Sequence, residues 1–200
     1  MNLGQLKTKV RTLINRTDIS DDLALEFIQQ AHVRIERTLR TTAMEKSVYF
    51  TATDGAFRLP VDFLEISDIW YNEEEMERVD QATFLKYPPG VGQPRVFVQS
   101  GNDIRMRPMP PNDGEIYMRY YAAQPILQVD SDQNIWSVSA VDALVYGACE
   151  YACDYFEDER LERFAKRFEV AMAELMEQST QEDFAGPMRI QPAYSYQDNW

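Results

Sequence analysis

Apolar positions recur at helical spacing at both ends of the chain and at strand spacing between them. Leu3, Leu6, Val10, Leu13 and Ile14 step by three and four, which predicts a short amphipathic helix. Ser20 is placed to cap a second helix, with Asp21 and Asp22 in a first turn where the helix dipole favours acids. Its stripe is Ala24, Phe27, Ile28, Ala31, Ile35 and Leu39, ending near Arg40. Between Val138 and Gln178 the pattern returns twice. Val141, Leu144, Val145, Ala148, Ala152 and Tyr155 make one face, and Leu161, Phe164, Ala165, Phe168, Met172, Leu175 and Met176 another. Glu157-Asp158-Glu159, followed by Arg160, interrupts the stripe. The segment is therefore two helices with a bend, or one long helix whose face changes. An isolated helix is marginal in water, so each stripe needs a partner, and the two ends of the chain can supply each other with one.

The middle reads as β. Val48–Ala52 and Ala56–Leu59 flank Thr53-Asp54-Gly55, a hairpin signal. Pro60 turns the chain where a ladder donor is not needed. Ile66–Tyr71 and Met76–Val79 suggest a second hairpin, with Glu73, Glu74 and Glu75 at its tip. Asp80 caps a short helix ending near Tyr87, and Pro88-Pro89-Gly90-Val91-Gly92 is a loop. Arg95–Gln99 and Asp103–Arg107 pair around Ser100-Gly101-Asn102, and Glu115–Ala122 adds a last, tyrosine-rich strand. The expected fold is α+β: a helical bundle from residues 1–45 and 138–180, a small antiparallel β domain inserted at 46–137, and an extended arm at 181–200. In that arm Gly186, Pro187 and Pro192 break any helix, yet Phe184, Tyr194, Tyr196 and Trp200 persist. Such a tail is expected to order against a partner, with these aromatics as anchors.

Two hundred residues with 44% hydrophobic and 12% aromatic content suit one or two small domains. No apolar run approaches the roughly 20 residues that span a bilayer, and no signal-peptide core opens the chain. Cys149 and Cys153 are the only cysteines, which points to a reducing compartment and not to a disulfide framework. The net charge is −13, unevenly spread. Residues 1–50 hold eight Lys/Arg against six Asp/Glu, residues 51–135 seven against fourteen, and residues 136–200 five against thirteen. Most of the surface therefore repels nucleic acid. Lys7, Lys9, Arg11 and Arg16 are a local exception, read as a solvated helix face because four charges are too few for a nucleic-acid site.

Candidate chemistry is sparse. His32 is the one histidine and is read as a helix residue, partly buried or exposed. Cys149 and Cys153 share a helix face, lack the C-x-x-C spacing, and read as small buried apolar residues. Asp130-Ser131-Asp132-Gln133-Asn134 opens like a calcium loop, but Ile135 and Val141 stand where that loop needs Gly and Glu. There is no phosphate-binding or nucleophile motif. Glu73, Glu74 and Glu75 read as a soluble hairpin tip and not as a metal site. No cofactor, metal or catalytic residue is expected.

Leu59-Pro60-x-Asp62-Phe63-Leu64-Glu65-Ile66, with Ile69 and Asn72 after it, resembles the head–tail adaptor (connector) proteins of tailed bacteriophages, the short-tailed-phage type among them. Leu144-Val145-Tyr146-Gly147-Ala148-Cys149-Glu150-Tyr151-Ala152, then Asp158-Glu159-Arg160-Leu161 and Ala171-Met172-Ala173-Glu174-Leu175, is similar to that family's closing helix pair. The likeness spans residues 1 to about 178 in order and spacing. It implies a bundle with a β insertion, without catalysis, in a virion made in the bacterial cytoplasm. It also implies a ring of about twelve copies below the portal protein. Such a ring holds tail or nozzle proteins and passes double-stranded DNA without sequence-specific contact. An acidic bore suits this, since the duplex carries one charge per roughly 1.7 Å. A second reading is an acidic binding module or DNA mimic acting on a host protein.

Overall fold

The computed structural model describes residues 1–51, 55–111 and 114–183, with side chains through residue 180. Helix α1 (Leu3–Ile14) begins at a reciprocal cap: the Asn2 side chain accepts the Gln5 N–H at 2.9 Å, and the Gln5 side chain accepts the Asn2 N–H at 3.1 Å. Helix α2 (Asp21–Thr38) starts where expected, with Ser20 Oγ accepting the Leu23 N–H. Near the other end, α5 (Val141–Tyr155) and α6 (Leu161–Asp183) are separate helices. Glu157, in the left-handed region at φ 51°, makes the turn, so the acidic interruption is a bend between two helices. Helix α6 continues past Thr180, where its apolar stripe stops, to Asp183.

Arg160 locks this turn to the first helix. Its guanidinium donates to Leu13 O at 3.4 Å and Ile14 O at 2.7 Å, carbonyls that α1 leaves unpaired at its end. Asp158 holds the same guanidinium at 2.6 Å and accepts the Arg160 N–H at 3.0 Å. The four stripes then close on one core: Leu3, Leu6 and Val10 of α1, Phe27, Ile28 and Ile35 of α2, Leu144, Val145 and Cys149 of α5, Phe164 and Phe168 of α6. Helix α5 is central and packs on α1, α2 and α6. It can do so because a small residue stands at the crossing: a Cβ on Gly147 would lie 3.0 Å from Ala31 Cβ and 3.0 Å from the Phe168 ring. Just before α5, Asn134 and Ser137 cap each other to start a five-residue helix α4 (Ile135–Ser139), which the sequence pattern does not signal.

The inserted β region consists of two four-stranded sheets. In the first, β1 (Glu45–Thr51), β8 (Glu115–Ala122), β3 (Phe63–Tyr71) and β4 (Glu74–Glu75) lie side by side in that order, all antiparallel. In the second the order is β2 (Ala56–Arg58), β7 (Asp103–Arg107), β6 (Val96–Ser100) and β5 (Glu77–Arg78), with β5 and β6 parallel. Phe57, Phe97, Ile104 and Met106 of the second sheet meet Ile69, Ile116, Met118 and Tyr120 of the first in a shared core. The short helix α3 (Gln81–Lys86), capped by Asp80 as expected, covers Val96 and Val98 on the outer side of the second sheet.

Two expected hairpins are corrected by this arrangement. Residues 48–51 and 56–58 do not pair with each other. The strand β1 pairs with β8, and β2 crosses into the other sheet to pair with β7. The reason is packing: Phe50 and Phe57 stack across the two layers with ring centroids 4.5 Å apart, an inter-layer contact that side-by-side pairing would forgo. Asp54, on which that hairpin turned, lies outside the described residues. In the second case the turn is tighter than expected. Asn72 and Glu73 are left-handed (φ 46° and 68°), as a two-residue hairpin loop requires. Glu74 and Glu75 are the return strand, opposite Tyr71 and Trp70. Met76 is buried, and Glu77–Arg78 has already crossed to the second sheet.

Candidate functional site

The outer face of the first sheet carries a row built by register. Tyr49 stands opposite Tyr117, Tyr117 opposite Trp70, and Trp70 opposite Glu75, so four strands place these side chains abreast. Strand alternation explains why they face out: Val48, Phe50, Ile116, Met118, Ile69 and Tyr71 between them belong to the core. Tyr49 and Tyr117 lie 5.1 Å apart between ring centroids, and Tyr49 is 63% exposed. Together with Asn72, Glu73 and Glu115, the three aromatics line an open groove of about 690 Å³.

The next row orients them. Ser47 faces Arg119, and Arg119 faces Asp68. Arg119 donates to Asp68 Oδ2 at 2.6 and 2.9 Å, and Asp68 Oδ1 accepts the Trp70 indole N–H at 2.9 Å. Ser47 Oγ lies 2.8 Å from Tyr117 Oη. Trp70 and Tyr117 are thus held by polar neighbours, and Tyr49 by its contact with the Tyr117 ring. Elsewhere the chain covers aromatic faces with its own guanidinium groups: Arg16 on Phe156, Arg34 on Phe168, Arg107 on Phe84 and Arg167 on Tyr146. Among the described residues no cation covers Tyr49, Trp70 or Tyr117. Glu73, Glu75 and Glu115 beside them are exposed and form no ion pair among the described residues.

A buried polar cluster ties the sheets to the bundle. His32 is 1% exposed, and its Nε2 lies 3.1 Å from Glu36 Oε1, off the line of a hydrogen bond. Glu36 also accepts the backbone N–H of Gln124 and the indole N–H of Trp136. Burial alone would raise the Glu36 carboxyl, but His32 and the Gln124 N–H outweigh it and hold it below the ordinary range. The structure thus places His32 in the structural junction and not at a surface site. In the core between the sheets Tyr120 donates to Asp62 at 3.0 Å, and burial, with that bond, pushes its hydroxyl up to about 12.

Cys149 and Cys153 are both buried, and burial pushes their thiols up to about 12 and about 11. The calcium-like loop has a different task. The carbonyls of Asp132 and Asp130 accept the Leu3 and Gly4 N–H groups, and the Asp130 carboxylate pairs with Lys7 at 2.7 Å, capping α1 from outside. Among the described residues no group of three His, Cys, Asp or Glu side chains is placed to hold a metal ion. Nor is any helix among them long and apolar enough to cross a membrane. Of the anticipated contact residues, Glu73 sits in the β3–β4 turn, and Glu74 and Glu75 in its return strand. Phe184, Tyr194, Tyr196 and Trp200 lie outside the described residues. The row of Tyr49, Trp70 and Tyr117 was not singled out from the sequence, although aromatics on the outward positions of alternating strands were its signal.

The fold is α+β, and the outer face of its first sheet carries an aromatic groove that no cation covers among the described residues. The chain belongs to the SU10 adaptor protein family, which matches residues 1–191 and so takes in both the bundle and the inserted sheets; it is a phage adaptor protein. No curated protein matches it.

Proposed function

We propose that this chain is a structural head–tail adaptor of a phage virion, forming a ring below the portal that joins it to the tail and lets double-stranded DNA pass. The observation that carries this reading is the family match across the whole described fold. The mechanism is mechanical and electrostatic. Copies related by a rotation that closes give a ring, of about twelve subunits in this proposal. With a net charge of −13, an assembled bore repels phosphates and lets the duplex slide. In this reading residues 1–45 and 138–180 fold together as the bundle, 46–137 reach to neighbouring copies, and the chain beyond helix α6 is the arm. In the arm Phe184, Tyr194, Tyr196 and Trp200 anchor on the portal and gain order there. Tail or nozzle proteins bind the opposite side, and no catalytic step is involved.

Negative-stain imaging and native mass spectrometry with purified portal test this. A ring that forms on the portal, and portal affinity that drops on deletion of residues 184–200 while the helical spectrum is kept, are the expected results. Unchanged affinity of the truncated chain rejects the arm's role. A chain that ignores the portal and binds a host DNA-binding protein as a monomer rejects the adaptor reading in favour of an acidic mimic.

A further inference from the structure

The two sheets share a core, so their outer faces point away from each other, and the two faces differ in charge. The first carries the groove of Tyr49, Trp70 and Tyr117 with Glu73, Glu75 and Glu115 exposed beside it. On the second, the β2–β7 half turns Arg58, Arg105 and Arg107 outward, because Phe57, Ile104 and Met106 between them face the core. Asp103 is the acid of that half. Arg107 is engaged with α3, donating to the carbonyls of Phe84, Leu85 and Tyr87. Arg58 and Arg105 are exposed and form no ion pair among the described residues. A chain that lays its own arginines over four of its aromatic rings leaves, among the described residues, Tyr49, Trp70 and Tyr117 without a covering cation and Arg58 and Arg105 on the opposite face without an ion pair.

We propose that the aromatic, acidic face of the first sheet of one copy docks on the basic β2–β7 face of a second copy, with Arg58 and Arg105 meeting Glu73, Glu115 and the rings of Tyr49, Trp70 and Tyr117. Opposite faces of one two-layer unit make a heterologous contact, the kind that propagates head to tail and closes only through rotation. Guanidinium groups suit the groove twice over, stacking on the rings and pairing with the carboxylates. The contact rests on the ring reading and gives it a pair of surfaces.

Charge reversal with mixing tests it. One variant carries Glu73→Lys and Glu115→Lys, a second Arg58→Glu and Arg105→Glu, and a third all four changes. All positions are exposed, and far-UV circular dichroism checks each fold. Self-association of the full chain, alone and on purified portal, is followed by sedimentation velocity and native mass spectrometry. Either two-site reversal alone weakens association about tenfold or more, through opposed like charges. The four-site variant associates more tightly than either two-site variant, because charge pairing is restored, while the stacking of guanidinium on the rings is not. An equimolar mixture of the two two-site variants also recovers association, because each junction of an alternating ring is again acid against base.

Two-site variants that associate as well as the wild type overturn the inference and leave the ring reading standing. Natively folded variants that fail to recover on mixing overturn it too. A wild-type chain that never exceeds a monomer, with or without portal, refutes the ring reading and the contact with it.

Discussion

Gly147→Ala probes the crossing of α2, α5 and α6, and its sign is set by space. In an open mid-helix site the change stabilises by about 0.5–1 kcal/mol, because glycine has more backbone freedom to lose. Here the new methyl starts 3.0 Å from Ala31 Cβ and from two ring carbons of Phe168. Carbon atoms pack best at roughly 3.5–4.0 Å, so each neighbour must retreat by a few tenths of an ångström. Neither is free to do so. Ala31 Cβ has no rotamer and moves only with the α2 backbone, and the Arg34 guanidinium sits 4.4 Å from the centre of the Phe168 ring. Overpacking of this kind costs about 1–3 kcal/mol, which matches or exceeds the helix gain and leaves a net destabilisation of roughly 0–2.5 kcal/mol. Urea unfolding followed by far-UV circular dichroism should show a lower midpoint at unchanged slope. The melting temperature should fall by about 2–4 °C per kcal/mol for a chain this long. Gly147→Val should cost more. In a Phe168→Leu background the ring clash is gone, so the alanine penalty should shrink. A Gly147→Ala variant with a raised midpoint would refute the close approach of the three helices.

Other groups give shorter tests. The Arg160 guanidinium and N–H hold the Asp158 carboxyl far below its ordinary 3.8, so the fold favours its charged form. That contribution is complete above the unfolded value and is lost as pH falls below it. Asp158→Asn should therefore flatten the loss of stability in acid titration below about pH 4 and speed amide exchange at the end of α1. Glu36→Gln keeps one acceptor oxygen but removes the negative charge beside His32 and puts an NH2 donor in place of the other oxygen in a buried setting, and should cost about 1–3 kcal/mol by chemical denaturation. Because burial raises the thiol values of Cys149 and Cys153, neither should react with a thiol reagent at neutral pH in the native state, and both should react in denaturant.

Helical periodicity is local, so both ends of the chain were legible from it. Ser20, the stripe from Ala24 to Ile35, and the acidic bend at Glu157-Asp158-Glu159 each stand within a few residues of the partners that define them. The sheets were harder for the opposite reason. Gly55 marks a change of direction, but not whether the chain returns beside β1 or enters another layer. That depended on Phe50 finding Phe57 across the core and on β1 pairing with β8 at the far end of the insert. The aromatic row shares this dependence. Tyr49, Trp70 and Tyr117 each look like one more aromatic in a strand until the order of β1, β8 and β3 brings them abreast. His32 gave the same difficulty in the bundle, because Glu36 lies one helical turn away but Asn134 and Trp136 come from the other end of the chain.

Placing the sheets between two helical halves has a consequence for synthesis. The apolar faces of α1 and α2 leave the ribosome well before α5 and α6 exist to cover them, some hundred residues later. At about 5–20 residues per second this interval lasts roughly 5–20 seconds. During that time Leu3, Leu6, Val10, Phe27 and Ile28 lack the α5 and α6 side chains that complete their core in the folded chain.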